Sequence, residues 1–128
     1  MGLFDKIKKG FESAVAYAKM DDFLIEHIDG ILSERWHKVS EKKPANIGGV
    51  SIEEEAEYKF VYRSGDRTVE VEIEHEYPEV EIEMKCLGSK YETRVQVSDF
   101  VEKEGTEFSL KNEAKLREIV AEMAGMVE

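Results

Sequence analysis

Carboxylates are the reactive groups this sequence supplies in quantity, and three of them fall into line. When the central strands are laid out by their alternation, Glu55, Glu76 and Glu81 share one cross-strand row that holds no cation. Carboxylates placed side by side repel one another. A hard divalent cation or a basic partner relieves that cost. The plainer reading is a solvated face, where salt and splayed side chains relieve most of it. Glu57, Glu74 and Glu83 occupy the neighbouring row with Arg94. Glu55, Glu57, Glu74, Glu76, Glu81 and Glu83 are therefore the candidate partner-binding set. Glu55, Glu76 and Glu81 are the metal candidates.

The remaining chemistry is sparse. His27 and His37 are too far apart to share a helical turn. His75 falls on the apolar parity, opposite Ile82 and Ala56 in the expected register. It reads as a buried acid–base group or ligand, or more simply as a sheet-end histidine tucked beside Tyr77. Cys86 shares that parity, has no basic neighbour to make a thiolate, and reads as apolar filling. The chain contains no Gly-rich phosphate loop, no Gly-x-Ser-x-Gly elbow and no His-Glu-x-x-His. Glycosidase and aspartyl dyads need carboxylates flanking a cleft, whereas these lie on an open sheet face. No catalytic residue and no cofactor is assigned.

The elements that must position these groups lie between residues 50 and 97, which read as an antiparallel meander. Ile52, Ala56, Tyr58, Phe60 and Tyr62 alternate with Glu53, Glu55, Glu57 and Lys59. Val69, Val71 and Ile73 alternate with Glu70, Glu72, Glu74 and Glu76. Val80, Ile82, Met84 and Cys86 alternate with Glu79, Glu81, Glu83 and Lys85. Tyr91, Thr93, Val95 and Val97 alternate with Glu92, Arg94 and Gln96. Period-two patterning marks strands with one buried and one wet face. Gly65-Asp66 and Gly88-Ser89 are expected as Gly-first two-residue turns. They pair Ser64 with Arg67 and Leu87 with Lys90. A turn at Pro78-Glu79 pairs Tyr77 with Val80. Val71, Ile73, Ile82, Met84 and Val95 then share the core face, and one wet row reads Lys59, Glu72, Lys85, Glu92.

Helical spacing surrounds the meander. Leu3, Phe4, Ile7, Phe11, Ala14, Val15 and Ala18 form one apolar stripe, and Leu24, Ile28, Ile31, Leu32, Trp36 and Val39 continue it. Residues 1–40 are thus a helical region, as one bent helix or as two with Asp21-Asp22 capping the second. The stripe is wide enough to pack on the sheet. Leu3, Phe4, Lys6, Ile7, Lys8, Lys9 and Phe11 also make a short basic amphipathic segment suited to a membrane interface. A Gly2 myristoylation signal is rejected, since Lys6 stands where Ser or Thr is needed. Pro44 and Gly48-Gly49 end the helical region. Residues 98–108 hold an extra short strand or a turn of helix. Ser109 is expected to cap a last helix over 109–127, striped by Leu110, Leu116, Ile119, Val120, Met123 and Val127.

A chain of 128 residues is expected to form one domain, 1–128. A single cysteine excludes an internal disulfide. A net charge of −11 argues against nucleic acid, which needs a basic footprint. The charged start lacks the apolar core of a secretory signal, so the expected location is cytoplasmic. Abundant Glu and Lys beside only Asn46, Asn112 and Gln96 resembles a hyperthermophile composition. One apolar sheet face must be covered, and only the flanking helices can cover it. The expectation is an α+β fold: a roughly four-stranded antiparallel meander with N-terminal helix or helices and a C-terminal helix on one face. The layout resembles small secretion-type chaperones, without a shared motif.

The expected function is a small, acidic, non-catalytic protein-interaction domain, adaptor, regulatory or chaperone-like, with a basic protein partner. Peripheral membrane docking through the first helix is the alternative. A pocket or enzyme site lined by Tyr58, Tyr62, Trp36 and His75 is the third. A meander leaves two edges, which makes a homodimer a further expectation.

Overall fold

The computed structural model describes residues 3–43, 46–47, 50–51, 57–76, 78–105 and 107–127. Side chains are described within these ranges from Lys19 onward, those of residues 46–47 and 50–51 excepted. The chain is α+β. Helix α1 spans Leu3–Arg35. Strands β1 (His37–Lys42), β4 (Glu57–Ser64), β5 (Arg67–Glu76), β6 (Glu79–Cys86) and β7 (Ser89–Gln96) form one antiparallel sheet. Short strands β2 (Asn46–Ile47) and β3 (Val50–Ser51) pair with each other. Helix α2 (Val97–Phe100) leads into the hairpin of β8 (Val101–Glu104) and β9 (Glu107–Leu110), and helix α3 (Glu113–Val127) ends the chain.

The core lies between the sheet and the two long helices. Val71, Ile73, Ile82 and Met84 are fully buried, and Val95 nearly so. Leu24, Ile28 and Leu32, four residues apart, face the sheet from α1, and Leu116, Val120, Ala124 and Val127 do the same from α3. That spacing keeps a helix stripe on one side over successive turns. The helices are tied by Arg117 to Glu34 at 2.7 Å. The expected apolar face is thus the buried one.

The boundaries differ in four places. The first helical region is one helix, and it stops at Arg35 rather than near residue 40. His37–Lys42 instead forms β1, a fifth strand on the edge of β4. Its helix-side residues Lys38 and Glu41 meet water and Asp29 rather than core, so no apolar alternation announces it. Its register breaks between Lys38 and Ser40, and Val39 bulges outward, 53% exposed. Ser109 lies in β9 and caps nothing. The last helix begins at Glu113, where Asn112 Nδ2 donates to the Asp99 carbonyl oxygen at 2.7 Å and Lys115 N–H donates back to Asn112. Residues 97–110 hold both a helical turn and two strands. The start of the expected first meander strand, with Ile52, Glu55 and Ala56, lies outside the described residues. So do the side chains of Leu3, Phe4, Lys6, Ile7, Lys8, Lys9 and Phe11.

Two of the three hairpins turn one residue earlier than expected, which shifts their pairing by two. Ser64 does pair with Arg67, across Gly65 at φ 64. Glu76 pairs with Glu79, not Tyr77 with Val80, so the middle turn spans residues 77–78. Cys86 pairs with Ser89, so the last turn is Leu87-Gly88, with φ of 48 and 85. Two successive positive φ values suit the twist of the flanking strands, but Leu is strained there. Leu87 is also 76% exposed, so its side chain offsets little of that strain. Leu87→Asn should therefore raise stability by about 1 kcal/mol, as Asn tolerates the left-handed region. An unchanged or lower melting temperature would contradict the strained turn.

Candidate functional site: the acidic sheet face

The outer face of the sheet is built by the polar half of each alternating strand, and the observed register rearranges its rows. Lys59, Glu72, Glu83 and Glu92 form one row. Glu57, Glu74, Glu81 and Arg94 form the next. Glu76, Glu79 and Gln96 form a third, and Glu70, Lys85 and Lys90 a fourth. The expected line of Glu55, Glu76 and Glu81 is therefore not a row: Glu81 stands opposite Glu74 and Arg94, while Glu76 stands opposite Glu79. Glu55 lies outside the described residues. The expected row of Lys59, Glu72, Lys85 and Glu92 is likewise replaced, since Glu83 takes the place of Lys85.

Cations serve the two ends of this face. Arg94 reaches Glu81 at 3.0 Å, Glu76 at 3.2 Å and Glu79 at 3.7 Å. Gln96 donates to Glu79 at 3.0 Å. Lys85 lies 2.9 Å from Glu83, and Lys90 lies 3.5 Å from Glu83 and 3.1 Å from Glu92. Glu74, Glu76 and Glu81 bring carboxylate oxygens within 4.8 Å of one another. There the guanidinium of Arg94 already supplies the positive charge expected of a metal.

Between these ends carboxylates also face one another. Glu72 directly faces Glu83, and Glu74 directly faces Glu81, around a cleft of about 10 Å³. That is room for one water at most. Glu57 adjoins the group. Burial, a hydrogen bond shared with Glu72 and the Glu72 charge hold its carboxyl above the ordinary 4.5. Glu83 is pushed the same way by burial, but Lys85, Glu92 and Lys90 outweigh this and hold it below its ordinary value. Charged oxygens so placed are repelled by neighbours and attracted by any cation that reaches them. Of the expected partner-binding set, the structure brings Glu74, Glu81 and Glu83 together, keeps Glu57 beside them, and leaves Glu76 at the Arg94 end. Glu72 was missed, because only the two-residue change of register puts it opposite Glu83.

A second polar group lies inside the fold, and the spacing of residues did not announce it. Asp21 and Asp22 cap no helix. They sit within α1 and face the end of the sheet. His75 places Nδ1 3.3 Å from Asp21 and Nε2 3.4 Å from Asp22. The Tyr58 hydroxyl donates to Asp22, and the Tyr58 and His75 rings stack at 5.3 Å. His75 stands opposite Val80, not Ile82. Tyr77 and Ala56, its other expected neighbours, lie outside the described residues. Burial opposes the imidazolium, but Asp21 and Asp22 outweigh it and lift His75 from 6.5 to about 9. One Asp21 oxygen, Oδ1, is buried without a hydrogen-bond partner. Two helical turns on, the Tyr62 hydroxyl donates to Asp29 at 2.5 Å, and Lys38 pairs with Asp29 at 2.9 Å.

This group fastens α1 to the sheet. A histidine whose pKa is raised by two carboxylates serves as their counter-ion at neutral pH. Burial and the Asp22 and Asp29 bonds likewise hold the Tyr58 and Tyr62 protons on, well above the ordinary phenol range. The four rings expected to line a pocket are packed on one another in pairs, His75 on Tyr58 at 5.3 Å and Trp36 on Tyr62 at 5.9 Å. Tyr58, Tyr62 and Trp36 are all buried.

Among the described residues no helix is long and apolar enough to cross a membrane. No protein-family model, curated protein or solved structure matches the chain.

Proposed function

We propose that the protein is a small non-catalytic interaction domain that receives a basic polypeptide segment on the acidic face of its sheet. The reading rests on one observation: carboxylates directly face carboxylates, Glu72 to Glu83 and Glu74 to Glu81, at the centre of the outer face. Like charges directly opposite destabilise a sheet; Arg94, Lys85 and Lys90 offset that cost at Glu81 and Glu83, and a cationic ligand adds further relief across the group. The net charge of −11 steers such a ligand inward from solution. We place the protein in the cytoplasm, in keeping with a lone, buried, unbridged Cys86.

Calorimetric titration with an oligolysine peptide tests the proposal. Binding should saturate at low ionic strength and weaken as salt rises. The double variant Glu72→Gln/Glu74→Gln should weaken it about tenfold while raising the melting temperature, since it removes both the attraction and the repulsion. Glu118→Gln/Glu122→Gln, an equal change of charge on the exposed side of α3, should leave affinity nearly unchanged. Equal losses in the two variants would reduce the effect to net charge and overturn the site.

A further inference from the structure

We propose that two copies of this chain associate through the outer edge of β7, which no other strand among the described residues pairs, antiparallel, joining their sheets into one. The two edges of the sheet are not alike. On β1 the register breaks at Val39, and a bulge of that kind guards an edge against pairing. On β7 the ladder runs unbroken from Ser89 to Gln96, and nearly every residue along it is exposed.

The order of side chains on β7 selects the partner. A two-fold axis perpendicular to the sheet keeps both outer faces on the same side, so residues of like parity meet. Centring the pair on Thr93 sets Glu92 of each copy against Arg94 of the other. It also sets Tyr91, 38% exposed, against Val95 on the helix side. Centring on Glu92 sets glutamate on glutamate and Lys90 on Arg94, which repel. Centring on Tyr91 matches Lys90 with Glu92 but shortens the overlap and leaves Arg94 without a counterpart. The edge is thus self-complementary in the Thr93 register. Arg94 already reaches toward Glu76, Glu79 and Glu81 on its other side, so the contact extends an existing charge network. One strand pair is a small interface, and a weak dimer is expected.

Sedimentation equilibrium of the full chain over a wide concentration range tests this, with circular dichroism as the check on folding. The wild-type protein should dimerise reversibly. Glu92→Arg and Arg94→Glu should each raise the dissociation constant about tenfold or more, because each sets like charges together at two places. Mixing the two variants should restore the dimer, since a copy with two cations at these positions then faces a copy with two carboxylates. A wild-type chain that stays monomeric throughout would overturn the proposal, whether or not the edge takes up an extended peptide instead. So would a dimer that survives Glu92→Arg, or a variant mixture that remains monomeric. Dimerisation is measured without oligolysine, so these outcomes are scored separately from binding at the centre of the face.

Discussion

Val71→Asp should leave the protein unfolded at room temperature. Val71 is fully buried in the central strand, between Phe60 and Met84, with helices over it. The substitution removes apolar contacts and buries a carboxylate among apolar side chains. A polar group buried without a partner costs roughly 2–7 kcal/mol, and a charge more. A small domain is stable by about 5–15 kcal/mol, so one such group consumes much of that margin. Far-ultraviolet circular dichroism and a thermal melt report the result. A cooperative melt within a few degrees of wild type would show that the covered face had been misassigned.

His75→Gln should destabilise the protein by an amount that depends on pH. His75 has its folded-state pKa raised from 6.5 to about 9, with Asp21 and Asp22 overcoming the effect of burial. A cation stabilised by the fold contributes fully below the unfolded value, and the contribution is lost as pH rises through the folded one. The useful window is therefore pH 6.5 to about 9 and slightly above. Its side chain is 13% exposed, and allowing for that contact with water the contribution is on the order of 2 kcal/mol. Gln keeps a hydrogen-bonding group but cannot carry the charge, and it leaves the buried Asp21 without its counter-ion. Chemical denaturation at about pH 6 should show the full deficit. At about pH 10 the gap between wild type and variant should nearly close. A gap of constant size across that range would mean that His75 is held neutral.

Both residues show what was legible beforehand. Val71 was readable because period-two alternation sorts each of the four meander strands into a wet and a dry side, and a register shift of two residues leaves that sorting intact. The same invariance hid the cross-strand partners. Moving the turns to residues 77–78 and to Leu87-Gly88 keeps each apolar side chain inside, yet it replaces Lys85 by Glu83 opposite Glu72. The acidic face and its facing carboxylates were therefore visible in the sequence, but the pairs were not: Glu74 stands opposite Glu81 rather than Glu83, and Glu83 opposite Glu72. Leu87 gave no warning, because Leu is rarely placed at a positive φ. Asp21-Asp22 looked like a helix cap because Asp favours that position. Its true partners, His75 and Tyr58, are distant in sequence and carry no spacing signal. Strand β1 escaped because an edge strand whose inner side meets Asp29 and water has no alternation to read.

The seat of the basic ligand is tested most directly by amide chemical-shift mapping of the folded protein during titration with oligolysine. The proposal expects saturable shifts centred on Glu72, Glu74, Glu81 and Glu83 in β5 and β6, fading toward β1 and absent from α3. Shifts spread evenly over all acidic positions, or gathered on the helices, would contradict it.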